Sequence, residues 1–229
     1  GHRSHYLADP DFSNVPVEEM LSKKHINNLR SLIKLDECIE GYTPKLPEHP
    51  NTVYISVVDK EKNSVSLINS IFHSFGSGIV DPNSGVLFQN RGAGFNLIPG
   101  HVNEYGADKR PLHTIIPAIV REKGTLKMPF GVMGGQYQAA GHARVLSNIY
   151  DFEMDIQDAL DAPRSFFENG SLRIERGYGE NTIQKLSSLG HNIDTKIGPI
   201  GGAQAIKINE NGVLEGASDP RKDGCAIGY

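Results

Sequence analysis

Asn51-Thr52-Val53-Tyr54-Ile55-Ser56-Val57-Val58-Asp59 and, after the polar break Lys60-Glu61-Lys62, Asn63-Ser64-Val65-Ser66-Leu67-Ile68-Asn69-Ser70 are the segments that decide the fold. Both runs alternate and both are rich in β-branched residues, so they read as two strands. A break of three residues suits an antiparallel hairpin. With Asp59 opposite Asn63, Val57 pairs with Val65, Ile55 with Leu67 and Thr52 with Ser70. The apolar pairs then share one face, which is expected to be the buried one. The opposite face carries Thr52, Tyr54, Ser56, Ser64, Ser66 and Ser70. A run of hydroxyls reads first as the solvated side of a sheet; the sharper reading makes Thr52 a nucleophile with Ser70 as its partner hydroxyl. Pattern alone leaves both open.

Working outward, the chain has 229 residues, 38% hydrophobic and 22% charged, enough for one large domain or a domain with an arm. A net charge of −4 and a pI near 6.1 give no basic footprint for nucleic acid. The longest apolar stretch, Ile115 to Val120, is interrupted by Pro117, and no 18-residue apolar run exists, so no membrane span is expected. Two cysteines, Cys38 and Cys225, are too few for a disulfide framework. Nine histidines are scattered without an HExxH or a Cys/His cluster, so neither a metal nor another cofactor is expected. No GxSxG elbow marks a serine nucleophile, and neither cysteine has local support as one. The chain opens on polar Gly1-His2-Arg3-Ser4-His5, without an initiator Met or a signal peptide. It therefore reads as a fragment or as a chain whose upstream residues lie elsewhere. Localisation stays open on that account, with the cytoplasm slightly preferred.

Ahead of the hairpin, Val15-Pro16-Val17-Glu18-Glu19 opens a helix whose apolar spacing continues through Ile33. Residues 40–50 contain Gly41, Pro44, Pro47 and Pro50, a linker composition that ends immediately before Thr52. Beyond the hairpin, Asp81-Pro82-Asn83-Ser84-Gly85 makes a turn into a short strand, Val86 to Phe88. Arg91-Gly92-Ala93-Gly94-Phe95 is a glycine loop holding one cation. Leu112 to Val120 reads as a buried strand and Leu126 to Val132 as the next. Gly134-Gly135 then leads into a helix over Gln136 to Tyr150. Short helices are expected at Asp155 to Asp161 and Asn181 to Leu189, and a strand at Leu172 to Glu175. Ala203 to Ile208 and Val213 to Gly216 form a second hairpin. Strands, then helix, then strands without strict βα alternation favour an α+β class.

Three features make one chemistry: the linker, the hydroxyl pair Thr52 and Ser70, and the Gly134-Gly135 helix start. Cleavage of the Asn51–Thr52 bond would free an α-amine whose ordinary pKa is about 7.7–8.0, suited to act as base for the Thr52 hydroxyl. Gly134 and Gly135 leave backbone N–H groups at the positive end of a helix, or simply make a tight turn.

On these residues the chain resembles the γ-glutamyltranspeptidase family. Thr52 through Asp59, Phe75-Gly76-Ser77-Gly78, Lys109-Arg110-Pro111, Gly134-Gly135, Ala162-Pro163-Arg164 and Ala217-Ser218-Asp219-Pro220-Arg221 match that family's small subunit in order. Tyr6 through Phe12 is similar to the end of its large subunit. The resemblance implies a four-layer αββα Ntn-hydrolase sandwich, with residues 1–51 ending the large subunit and 52–229 forming the small catalytic one. It implies autocatalytic cleavage before Thr52, Thr52 as the nucleophile, Ser70 at the position of a supporting hydroxyl, and Gly134 and Gly135 as the oxyanion pair. The implied partners are a small-molecule amide and the remainder of the large subunit, with homodimerisation open.

Departures from the glutathione-using members concern substrate. Their Asn two positions beyond the second hydroxyl is Phe72 here. Their loop Gln and Asp, which hold a substrate ammonium, are Arg91 and Gly94, and their paired serines are His113 and Thr114. Losing an Asp and gaining a cation should weaken ammonium binding and favour an acyl-side carboxylate at Arg91, His113 and Thr114. The expected activity is a γ-glutamyltransferase- or glutathione-hydrolase-like amidase. An oxamate- or cephalosporin-type amidohydrolase and a non-processing homologue are the alternatives.

Overall fold

The computed structural model describes residues 2–39 and 50–229. The linker expected over 40–50 falls, apart from Pro50, outside them. In chain order the elements are helices α1 (His2–Tyr6), α2 (Val17–Met20) and α3 (Lys23–Ser31), then strands β1 (Pro50–Val58) and β2 (Ser64–His73). Strands β3 (Pro117–Glu122) and β4 (Thr125–Met133) precede helices α4 (Gln138–Tyr150) and α5 (Ile156–Asp161). Then come β5 (Ser165–Glu168), β6 (Ser171–Ile174), α6 (Glu180–Ser188), β7 (Ile193–Asp194), β8 (Gly202–Ile208) and β9 (Leu214–Ser218). The α+β class follows from this mixture.

The described residues divide into two compact units: residues 2–39, 91–113 and 167–196 belong to the first, and 50–90, 114–166 and 197–229 to the second. In the first unit β6 and β7 pair in parallel through Leu172–Ile193 and Arg173–Asp194. Its N-terminal segment is tied down by Asp9, whose carboxylate accepts from Arg110 backbone N (2.8 Å), Nε (3.1 Å) and NH2 (2.7 Å). These bonds hold the Asp9 carboxyl well below the usual carboxylate range. The matching segments Tyr6 to Phe12 and Lys109-Arg110-Pro111 thus meet through one carboxylate. The helix expected from Val15 onward is two helices, because Ser22 breaks it and caps α3 by accepting from His25 N at 3.1 Å.

In the second unit the four-stranded sheet runs β3-β4-β8-β9 and the hairpin β1-β2 forms its own sheet. β4 is one of its two inner strands and is covered on both faces. Met128, Phe130 and Val132 point into a core shared with Val145 and Ile149 of α4, Ile156 and Leu160 of α5, and Ala203, Ala205 and Ala217 of β8 and β9. On the other side Met133 joins Tyr54, Ile68 and Ile115 beneath the hairpin. The layers are therefore hairpin, sheet and helices. Full burial of a side chain such as Leu160 stabilises by about 1.5–3 kcal/mol.

The hairpin register is the expected one: Val57 faces Val65, Ile55 faces Leu67 and Thr52 faces Ser70. The buried face is not. Tyr54 and Ile68, on the hydroxyl side, are 4% and 8% exposed, while Val53, Ile55, Val57, Val65 and Leu67 are exposed. The hydroxyl side packs on the four-stranded sheet, and no described element of the second unit covers the apolar side. The strand expected at Val86 to Phe88 reduces to a single bridge, Val80 to Leu87. Of the strand expected over Leu112 to Val120, only the part from Pro117 is regular, with the proline at the first strand position, where its missing N–H is tolerated.

The two short motifs near the C-terminus explain each other. Asp219 is fully buried and accepts from the guanidinium of Arg164, from Arg221 NH1 (3.1 Å) and N (3.0 Å), and from Ala203 N (2.8 Å). Arg164 also donates to the carbonyls of Ile200 and Leu160, and Arg221 to those of Leu160 and Ala162. Replacing Asp219→Ala takes the carboxylate counter-charge from the buried Arg164 guanidinium and should cost about 3–5 kcal/mol, read from urea unfolding of the full-length protein.

A second expectation concerns acid. His142 of α4 is buried, its Nδ1 bonded to the Gln138 carbonyl at 2.6 Å and its ring 5.1 Å from that of Phe130. Burial pushes the imidazole below its ordinary value, partly offset by that carbonyl. The unfolded chain then binds the extra proton first, so this contribution is intact above about pH 6.5 and fades as pH falls toward the folded value. Unfolding measured across pH 5 to 7 should show a shallower slope for His142→Gln than for the parent; equal slopes would remove His142 as the source.

Candidate active site

Thr52 stands near the head of β1, where the register shifts between Asn51 and Thr52: Asn51 faces Phe72 while Thr52 faces Ser70. Ile71 is therefore the extra residue of a bulge, a device that re-aims a side chain at a strand end. Thr52 Oγ1 donates to Ser70 Oγ at 3.3 Å, and Ser70 Oγ also accepts from Phe72 N at 3.1 Å. Phe72 is buried and has φ +76°, a conformation that costs a non-glycine residue about 1–3 kcal/mol. Asn90 holds this strained end in place. Its Oδ1 accepts from His73 N (3.0 Å), its Nδ2 meets His73 Nδ1 (3.0 Å), and its own N donates to the Ile71 carbonyl (3.1 Å).

Gly134 and Gly135 end β4 and begin a 3₁₀ turn, Gly135–Tyr137, that runs into α4. Their φ values are +119° and +55°. A Cβ on Gly134 would lie 2.7 Å from the Gly201 Cα, so both the backbone conformation and the close approach require glycine there. The turn, at the start of α4, packs against β1, the strand that carries Thr52. Thr114 is buried, and two residues on Ile116 N donates to Oε1 of the fully buried Gln138 at 3.0 Å. The Thr114 segment is thereby tied to the first turn of α4.

The remaining expected residues, Arg91 and His113, lie in the first unit. Arg91 opens the 3₁₀ turn Arg91–Gly94 and is buried, which pushes its guanidinium below the ordinary value. His113 is lowered by burial and by the positive charge of Arg91, so the two are electrostatic neighbours. Asn103 braces them: its Nδ2 donates to the Gly94 carbonyl (2.7 Å) and its Oδ1 accepts from Leu112 N (2.8 Å). Sequence reasoning missed Asn90, Asn103 and Gln138, because a single amide side chain in a loop or helix carries no spacing signal. Of the expected set, the fold joins Thr52 with Ser70 and sets Gly135 against the same strand. It pairs Arg91 with His113 within their own unit. Asn51 lies in β1 as the residue before Thr52.

The arrangement joins a hydroxyl held by a second hydroxyl to a glycine turn at a helix start, a combination suited to acyl transfer. The family model described as gamma-glutamyltranspeptidase matches residues 1–229. The glutathione hydrolase-like YwrD proenzyme of Bacillus subtilis is 35% identical over 99% of this chain and 44% of its own length. The oxamate amidohydrolase proenzyme of Klebsiella pneumoniae is 34% identical over 99% of this chain and 44% of its own. A crystal structure of cephalosporin acylase from Bacillus halodurans superposes with a TM-score of 0.87 at 35% identity, over 99% of this chain and 42% of that one. The chain spans less than half the length of these relatives. Matched from end to end by the family model and by the fold, it belongs to the γ-glutamyltranspeptidase family.

Proposed function

We propose that this chain is the catalytic part of a proenzyme that cleaves itself before Thr52 and then hydrolyses or transfers an acyl group through a Thr52 ester. The observation that carries the proposal is the Thr52–Ser70 hydroxyl pair, 3.3 Å apart at the head of β1. The word proenzyme in the names of both curated relatives supports it. In the first step Thr52 Oγ1 adds to the Asn51 carbonyl carbon and the Thr52 nitrogen leaves with the hydroxyl proton. Water then hydrolyses the resulting ester and frees the Asn51 carboxyl. In turnover Oγ1 attacks the substrate amide, the new α-amine takes its proton and returns it to the leaving amine, and water or a second amine resolves the ester. Ser70 holds the Thr52 hydroxyl in line. N–H groups at Gly134 and Gly135 receive the developing oxyanion.

Arg91, His113 and Thr114 are proposed to read the substrate. Arg91 and Gly94 stand where glutathione-using members have Gln and Asp, so the proposed substrate is an amide whose acyl part bears a carboxylate and little ammonium character. The oxamate amidohydrolase relative is named for such a compound. The proposed protein partner is the remainder of the precursor. It would cover the apolar hairpin face, where Val53 is 58% and Val65 54% exposed.

Intact mass and N-terminal sequencing of the full-length protein test the nucleophile. A fragment beginning Thr52-Val53-Tyr54 is expected, absent in Thr52→Ala and formed about 3- to 10-fold more slowly in Ser70→Ala, the worth of one hydrogen bond. A chain that stays whole through long incubation would favour a non-catalytic homologue. Turnover should rise with pH through about 7.7–8.0 as the α-amine loses its proton. For substrate, oxamate should acylate Thr52 faster than γ-glutamyl-p-nitroanilide. Arg91→Gln should cost the carboxylate substrate about 10- to 100-fold and leave an uncharged amide nearly unaffected.

A further inference from the structure

Four residues that belong to no catalytic role form a small cluster of their own. Tyr54, Ile68 and Met133 are buried together, with Ile115 packed against them. Each stands one or two positions from a residue of the candidate site: Tyr54 from Thr52, Ile68 from Ser70, Met133 from Gly134 and Ile115 from Thr114. The cluster is thus the floor on which four separate segments are set in register.

Tyr54 is its centre. The side chain lies on the same face of β1 as Thr52, since residues two apart on a strand share a face. Its ring occupies the space that a Cβ at Gly131 would fill. Gly131 lies on β4, three residues before Gly134, so the ring seats the nucleophile strand on the strand that ends in the glycine turn. The phenol is also fixed: its oxygen is 2.7 Å from Ser66 Oγ, and Ser66 Oγ in turn reaches the Phe130 carbonyl at 3.5 Å. Burial pushes the phenol pKa up to about 12, partly offset by the Ser66 bond, so it stays protonated. A rigid aromatic plate in a glycine-shaped recess, pinned at its far end, fixes a distance better than flexible aliphatic packing does.

We infer that Tyr54, seated in the recess at Gly131, is a positioning residue that sets the gap between Thr52 and the Gly134-Gly135 turn. The inference rests on Thr52 being the nucleophile. A methyl group at position 131 should lift the ring and with it the head of β1. A displacement of about 1 Å at reacting groups can cost 10²-fold. Gly131→Ala in the full-length protein is therefore expected to slow self-cleavage, and kcat on an amide substrate, by about 10- to 100-fold, with KM little changed. Tyr54→Phe keeps the plate and should lose no more than about 10-fold, the worth of the bond to Ser66.

The decisive measurement is a double-mutant cycle. In a Tyr54→Val background the recess is empty, so adding Gly131→Ala should cost less than about 3-fold. Thermal unfolding of every variant separates lost positioning from lost folded protein. An equal Gly131→Ala penalty in both backgrounds, or a folded Gly131→Ala protein with unchanged kcat, overturns the inference alone. A parental protein never cleaved or acylated at Thr52 overturns the nucleophile assignment, and the inference with it.

Discussion

Burial of β4 on both faces is the constraint on which the second unit depends. A strand covered on one side only could slide or tilt, but Met128, Phe130 and Val132 are locked against α4 and α5 while Met133 is locked under the hairpin. Close packing leaves little room for a shift of even one methylene. The strand therefore delivers its C-terminal end, Gly134-Gly135, to a fixed place. The buried carboxylate of Asp219 secures the helical side by gathering Arg164, Arg221 and Ala203 N around one group. These two anchors fix where the glycine turn stands in the second unit.

Local strain marks the same region. Phe72 at φ +76°, the bulge at Asn51/Thr52 and the positive φ of Gly134 and Gly135 all fall on candidate-site residues or within two positions of them. Such conformations persist only when the surroundings over-determine them. Asn90 does so for the end of β2, and Tyr137 N, donating to the Gly134 carbonyl at 3.0 Å, does so for the turn.

Much of this was legible in the residues. The pairing of Thr52 with Ser70 followed from the Asp59–Asn63 turn, because a three-residue break leaves few registers. The glycine turn before α4 was equally plain, since two adjacent glycines between an apolar run and a helical pattern have few other uses. The face of the hairpin that packs inward was not legible. Alternation shows that two faces differ but not which one meets a partner, and here the hydroxyl face with Tyr54 and Ile68 does. A recess is also invisible in sequence: nothing in Gly131 by itself announces that a ring fills it. Ser22 was hidden for a different reason, as its capping bond competes with a helical pattern that runs on across it. Arg91 and His113 were picked out by departure from a family pattern. Their braces, Asn103 and its contacts to Gly94 and Leu112, depend on loop geometry that no spacing encodes.

The central claim is that the hydroxyl at position 52, and not its neighbour at position 70, carries the acyl group. Rapid quenching of the matured protein with an amide substrate, followed by proteolysis and mass measurement of the peptides, tests it directly. An acyl increment on the peptide that begins with Thr52 and retains a free α-amine is the predicted result. An increment on the peptide containing Ser70, or an acylated chain still continuous through Asn51–Thr52, would contradict it.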